Sequence, residues 1–139
     1  MNTDEALKIL NVHASTLDVP HPHWIGGKDA DQGPSYCRSC AEAKVEAREA
    51  EYVDGGWQQD NDGCCHCDTC GRLLEYNLTD YGAAEELEHY LANPPPVPIS
   101  PEDAFHIAKM LEHDERNPDA VAIAVAAAEL IAAAKEVQP

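Results

Sequence analysis

The sequence predicts an α+β fold that is mostly helical, in which a small cysteine-bearing module with a short strand or hairpin precedes a C-terminal helical hairpin. Three observations support this prediction. Two Cys-x-x-Cys pairs, Cys37 with Cys40 and Cys67 with Cys70, are separated by 26 residues. A proline-rich stretch at 93–100 is followed by helix-forming sequence. The chain has 139 residues but one Phe and two Trp, so its first 92 residues have little material for an apolar core.

These features divide the chain into a cysteine module with an N-terminal helix at 1–92, a linker at 93–100 and a helical hairpin at 101–139. Thr3 can cap the first helix, in which Leu7 and Leu10 share a face. The first cysteine pair opens a run of good helix formers. The elements predicted before the linker are a helix at 3–12, an irregular stretch at 15–35, a helix at 41–51, a turn-rich loop at 53–64, a strand at 72–79, and a helix at 80–92 with Leu87, Tyr90 and Leu91 inward.

The hairpin after the linker has clear start signals. Ser100 is a predicted N-cap and Pro101 occupies the first helical position, and this helix is expected to end near Arg116. The next helix, 119–137, is rich in alanine and apolar on almost every side. Such a helix is normally buried, which predicts either packing against the chain's own helices or a homodimer through the C-terminal helices.

The cysteine pairs predict a metal site. Zinc needs four donors in a tetrahedron, and each Cys-x-x-Cys supplies two thiolates from one side of a tight turn. The predicted Zn²⁺ ligands are Cys37, Cys40, Cys67 and Cys70. The additional or substitute ligands left open are His21, His23, Cys64, Cys65 and His66. Trp24 and Trp57, in glycine-containing loops, are expected to cover the site.

At the level of these motifs the chain resembles the zinc-ribbon and treble-clef class of small zinc-binding domains. The resemblance rests on Cys37 and Cys40 opening a helix, and on Cys67, Cys70 and Gly71 as a zinc knuckle. In treble clefs the knuckle precedes the helix-borne pair, whereas here the helix-borne pair comes first. Modules of this class serve many roles, so the resemblance implies a structural zinc and no particular function.

The charge of the chain restricts its partners. Nine basic and 26 acidic residues give a formal charge of −17, which repels nucleic-acid backbones and anionic membranes. A basic protein partner suits such a surface. The N-terminal sequence is acidic and lacks the apolar segment of a secretory signal, so a reducing cytoplasm is the expected location.

The predicted function is a zinc-binding, strongly acidic protein–protein interaction module with a structural metal. One alternative is an acidic decoy that inhibits a nucleic-acid-binding protein. Another is a metalloenzyme or thiol-redox protein that uses the region Cys64 to Cys70. The sequence contains no His-Glu-x-x-His, no zinc-deaminase signature and no phosphate-binding loop, which favours a role other than catalysis.

Overall fold

The structure is a computed structural model and describes residues 1–30, 33–56 and 59–137. Within these residues the chain forms five helices and six short strands. The helices are α1 (Thr3–Ala14), α2 (Arg38–Glu46), α3 (Asp80–Ala92), α4 (Pro101–His113) and α5 (Pro118–Val137). The strands are β1 (His23–Gly26), β2 (Tyr52–Gly55), β3 (Gln59–Asn61), β4 (Cys65–His66), β5 (Leu73–Leu74) and β6 (Tyr76–Leu78). The predicted α+β, mostly helical fold class is confirmed.

The chain forms two compact units. One, the helical unit, combines Met1–Asp18 with Leu78–Pro139, and the other, the cysteine unit, is Val19–Asn77. The cysteine unit is therefore an insertion between α1 and α3. This grouping differs from the predicted division into 1–92, 93–100 and 101–139, because α1 packs on α4 and α5 instead of belonging with the cysteines. The N-terminal helix is thus part of the same core as the C-terminal hairpin.

The core of the helical unit is built from α1, α4 and α5. Leu10, Ile107 and Leu111 are completely buried. The helix α5 contacts both α1 and α4, so the predicted alternative of packing within the chain is observed. Its buried positions are Ala120, Ala124, Ala127, Ala128 and Ile131. Small side chains at these positions allow helices to approach closely, which explains why an alanine-rich helix can serve as a core element.

The proline-rich segment 93–100 packs within the helical unit. Ile99 in this segment is buried, and its carbonyl oxygen accepts a hydrogen bond of 2.8 Å from Nε2 of His13. Ser100 caps α4 as predicted, since its side chain accepts a 3.0 Å bond from the backbone N–H of Asp103. The expectation for α3 was partly wrong, because Tyr90 is buried but Leu91 is 56% exposed.

Short strand pairs organise the cysteine unit. The strands β1 and β2 pair antiparallel with Ile25 opposite Val53, β4 pairs antiparallel with β5, and β3 is hydrogen-bonded to β6. The expected irregular stretch and turn-rich loop therefore contain strands β1, β2 and β3. The expected strand at 72–79 is two short strands, β5 and β6. Period-two patterning is weak in strands of two to four residues, so the sequence carries little signal for them.

The helix expected at 41–51 is shorter than predicted. It ends at Glu46, and Arg48 adopts a left-handed backbone conformation with φ 64° that no helix can continue through. Trp24 lies in β1 against Gly55 of the neighbouring strand, and Trp57 lies outside the described residues.

Across residues 1–30, 33–56 and 59–137, no helix has both the length and the apolar character needed to cross a bilayer.

Candidate metal centre

The first cysteine pair is held at the start of α2. Cys37 is the N-cap residue, and its carbonyl oxygen accepts the backbone N–H of Ala41 at 3.0 Å. Cys40 follows in the first turn, where unpaired N–H groups and the helix dipole favour negative charge. The predicted placement of this pair at a helix N-terminus is therefore confirmed. Ser39 lies between the two cysteines, with its Oγ 3.5 Å from Sγ of Cys37.

The second cysteine pair lies in the turn between β4 and β5. The backbone N–H of Cys67 bonds to the carbonyl oxygen of Arg72 at 2.7 Å, and the N–H of Gly71 bonds to the carbonyl oxygen of Cys67 at 2.9 Å. Gly71 has φ 78°, a conformation that glycine adopts without strain. This tight turn places Cys67 and Cys70 side by side, as the sequence of the predicted knuckle implies.

Backbone hydrogen bonds bring the two pairs together. The N–H of Asp68, inside the second turn, bonds to the carbonyl oxygen of Ser35 at 2.9 Å. The next residue, Tyr36, is buried and exchanges two backbone bonds with His23 of β1, at 2.8 and 2.9 Å. The segment that leads into Cys37 is thus fixed to both β1 and the β4–β5 turn. Nothing in the cysteine spacing indicated these contacts.

The four predicted ligands form one cluster. The sulfur atoms of Cys37, Cys40, Cys67 and Cys70 all lie within 4.8 Å of one another. Sγ of Cys37 and Sγ of Cys70 are 3.9 Å apart. Cys37 and Cys67 are buried, whereas Cys70 is exposed, and none of the six cysteines is in a disulfide. The cluster is compatible with a zinc-binding motif.

The pKa values of the clustered thiols are shifted in opposite directions. Burial raises the pKa of Cys37, but hydrogen bonds from Ser39 and from Cys40 outweigh it and lower that pKa to about 6. Burial is likewise outweighed at Cys67 by backbone hydrogen bonds from Cys70, Cys37 and Thr69, and its pKa is lowered. The hydrogen bond with Cys37, followed by burial, raises the pKa of Cys40 to about 12. Closely spaced thiols therefore ionise stepwise, and a bound cation would favour the thiolate form of Cys40 as well.

The other ligand candidates lie outside this cluster. Cys65 is buried in β4, where burial raises the pKa of its thiol, with partial opposition from Ser35 and Asn61. Nδ1 of His23 is 3.1 Å from the carbonyl oxygen of His21. Cys64 and His66 are exposed. Among the described residues, the four-sulfur group includes none of these five.

Sequence reasoning missed the supporting residues of the centre. The hydrogen bond with the Ser39 hydroxyl lowers the pKa of the Cys37 thiol. The Ser35 carbonyl oxygen accepts the backbone N–H of Asp68 and so links the two cysteine pairs. A serine between two cysteines was the one visible signal, because a hydroxyl at that spacing can reach the first sulfur. The backbone bond from Asp68 depends on the folded path of the chain and has no signature in the sequence.

Comparisons with models of protein families, with curated proteins and with solved structures found no match to this chain. The resemblance to small zinc domains therefore rests on the two cysteine pairs and on the local structure around them.

Proposed function

We propose that the cysteine unit is stabilised by one structural Zn²⁺ and that the protein is an acidic interaction module for a basic protein partner. Cys37 and Cys40 would hold the ion from the start of α2, and Cys67 and Cys70 from the β4–β5 turn. The bound ion would supply a cross-link between two segments that are 26 residues apart in the sequence.

The separation of the sulfur atoms is the observation that carries the metal proposal. A tetrahedral Zn–S bond of about 2.3 Å places two sulfur ligands about 3.8 Å apart. The sulfurs of Cys37 and Cys70, which come from different pairs, are 3.9 Å apart. All four thiols lie in one group, so the donor number and the donor type also suit the ion.

Four protein sulfurs favour a structural ion over a catalytic one. Catalytic zinc sites keep a coordination position for water or substrate, whereas four cysteines fill the tetrahedron. The small apolar content of the cysteine unit also favours a structural ion. Among the residues of this unit that the structure describes, the large apolar side chains that are buried are Pro22, Ile25, Tyr36, Leu74 and Tyr76. A core of this size usually needs a metal or a disulfide to fold.

Charge supports the interaction role. The helical unit carries 15 acidic and 4 basic residues, a formal charge of −11, and the remaining −6 belongs to the cysteine unit. Acidic surfaces of this kind steer a basic partner and accelerate association at low salt. Interactions of zinc-loaded protein with its partner should therefore weaken as the salt concentration rises. Partners that are acidic, or binding that salt leaves unchanged, would contradict this role.

The metal proposal predicts one ion with a sulfur-only shell. Native mass spectrometry should count one zinc per chain, and X-ray absorption should find four sulfur neighbours at about 2.3 Å. The variant Cys70→Ser should lose most of its zinc, because an exposed thiolate ligand is replaced by a hydroxyl. Cys64→Ser is the matched control, since Cys64 is also exposed but lies outside the cluster.

The outcomes separate the alternatives for the site. Zinc content in Cys70→Ser equal to that of the unaltered protein would reject the ligand assignment. A second zinc, or a nitrogen neighbour, would point to the histidine ligands predicted as substitutes. A coloured protein containing iron would reject zinc as the ion, because a four-cysteine site also suits iron.

A homodimer through the C-terminal helices stays a prediction. The packing of α5 against α1 and α4 buries one side of that helix within one chain, and Leu130 remains exposed. Sedimentation of the zinc-loaded protein over a wide concentration range measures the oligomeric state. A mass of one chain at all concentrations would reject the dimer.

A further inference from the structure

An apolar groove lies on the helical unit between α3, the segment 93–100 and α5. Its volume is about 440 Å³. Three of its large apolar residues are well exposed, Leu91 by 56%, Val97 by 67% and Leu130 by 43%. None of the residues that line it is charged. Exposed apolar residues are common singly, but three around one groove indicate a surface that is covered on binding.

A second groove with a different character begins at the same residue. It has a volume of about 410 Å³ and lies between α3, α4 and the start of α5. Leu91 lines both grooves. The acidic residues of the second groove are Asp80, Glu88 and Asp114, all exposed. Asp80 also contacts the His113 ring, with Oδ1 2.9 Å from Nε2.

Neither groove is lined by a lysine or an arginine among the described residues. We propose that the two grooves form one docking surface for a basic segment of a partner protein, with apolar anchor residues in the first groove and lysines or arginines over the second. This location rests on the basic-partner role proposed above. Leu91 lies at the junction, one helical turn from Glu88, so one bound segment can reach both grooves.

Charge complementarity selects this occupant. A helix or strand with apolar anchors and basic neighbours would bury its anchors against Leu91, Val97 and Leu130 while its charges face Glu88 and Asp114. A second copy of this chain would instead bring a helical unit with a formal charge of −11 to an acidic groove. Like charges across an interface disfavour that arrangement.

The test uses the full, zinc-loaded chain and a defined probe. The probe is a synthetic peptide with leucines at helical spacing i, i+3, i+4 and i+7 and lysines elsewhere, and its control carries glutamate at every lysine position. Dissociation constants are measured by fluorescence anisotropy at low and high salt. We expect the lysine peptide to bind, to weaken with salt, and to outcompete the glutamate peptide.

Matched variants locate the binding. Leu91→Ser and Val97→Ser should each weaken binding about tenfold, because each removes a large apolar contact. Val12→Ser, which alters a residue 52% exposed on α1 and outside both grooves, should leave binding unchanged. Glu88→Lys should weaken binding about threefold at low salt. Glu136→Lys changes the net charge equally at an exposed position outside both grooves and should have a smaller effect.

The results distinguish the docking surface from the role on which it rests. Salt-sensitive binding that Leu91→Ser and Val97→Ser weaken no more than Val12→Ser would overturn the location and leave the basic-partner role in place. Equal binding of the lysine and glutamate peptides would overturn both. Self-association of the chain alone that Leu91→Ser abolishes would also overturn the proposal, because a second copy would then occupy the groove.

Discussion

The turn of the second cysteine pair depends on the backbone of one residue. Gly71 has φ 78°, and its N–H closes the turn onto the carbonyl oxygen of Cys67. A methyl group at Gly71 would meet no atom within 4 Å. A side chain at Gly71 would therefore cause backbone strain without a steric clash. A substitution there measures how much the left-handed backbone conformation contributes to stability.

We predict that Gly71→Ala lowers the free energy of unfolding of the zinc-loaded protein by about 1–2 kcal/mol, because alanine resists the left-handed conformation. Urea denaturation measures the change. Gly63→Ala is the control. A methyl group at Gly63 would also meet no atom within 4 Å, but Gly63 does not have a positive φ. Equal effects of the two substitutions would show that the conformation of Gly71 is not what matters.

The cysteine spacing allowed the four sulfurs to be predicted, because the geometry of each Cys-x-x-Cys turn is local. The backbone contacts that bring the two cysteine pairs together are not local in the sequence. The bond from Asp68 to Ser35 and the pairing of Tyr36 with His23 both depend on distant segments meeting in the fold. The same dependence explains why Cys65 and His66, adjacent in sequence to Cys67, could not be separated from the ligands beforehand.

At the scale of elements, the two sides of α5 differ in burial, although both are rich in alanine. Ala124 and Ala128 are completely buried, whereas Ala126 and Ala133 are exposed. Alanine on the buried side sets how closely α5 approaches its neighbours, while alanine on the other side affects only helix propensity. The same residue type therefore has two functions within one helix.

Enlarging one alanine on each side tests this difference. Ala124→Leu should destabilise the protein by about 1–3 kcal/mol, because the closely packed interface has no space for three more carbon atoms. Ala133→Leu should change the free energy of unfolding by less than about 0.5 kcal/mol. Both values come from urea denaturation. A neutral Ala124→Leu would mean that α5 is less tightly packed than its burial indicates.

The start of α4 was predictable from its capping signals, whereas the N-cap of α1 is Asn2 instead of the predicted Thr3, and the short strands were not predictable. Ser100 and Pro101 fixed the start of α4, because a capping side chain and a proline act on the nearest backbone groups. The sequence predicts a loop where β2 and β3 form, since each strand is short and rich in polar residues or glycine. Leu91 is exposed although the sequence predicts it to be inward, because helical periodicity identifies a face of the helix and not what packs against each position.

For the whole molecule, chelation should unfold the cysteine unit and leave the helical unit folded. The chain divides into two compact units, and the four-sulfur cluster lies in the cysteine unit. Circular dichroism should change little, because α2 contributes 9 helical residues whereas α5 alone contributes 20. Hydrogen exchange is the informative measurement. Amides of α2 and of the β4–β5 turn should lose protection, and amides of α1, α4 and α5 should keep it.

The behaviour of α1 distinguishes the observed grouping from the predicted one. If α1 belonged with the cysteines, as the division at 92–93 implied, its amides would exchange together with those of α2 after chelation. Its contacts with α4 and α5 lead us to expect the opposite. Full protection of all amides without metal would contradict the structural role of the ion itself.

The insertion of the cysteine unit has a consequence for the helices on either side. When the cysteine unit is unfolded, Val19–Asn77 is a flexible linker that joins α1 to α3. Confining the ends of a chain of roughly 60 residues costs roughly 3–4 kcal/mol of entropy. If bound zinc keeps this segment folded, we expect the melting temperature of the helical unit to be higher with zinc than after chelation, although that unit carries none of the four proposed ligands.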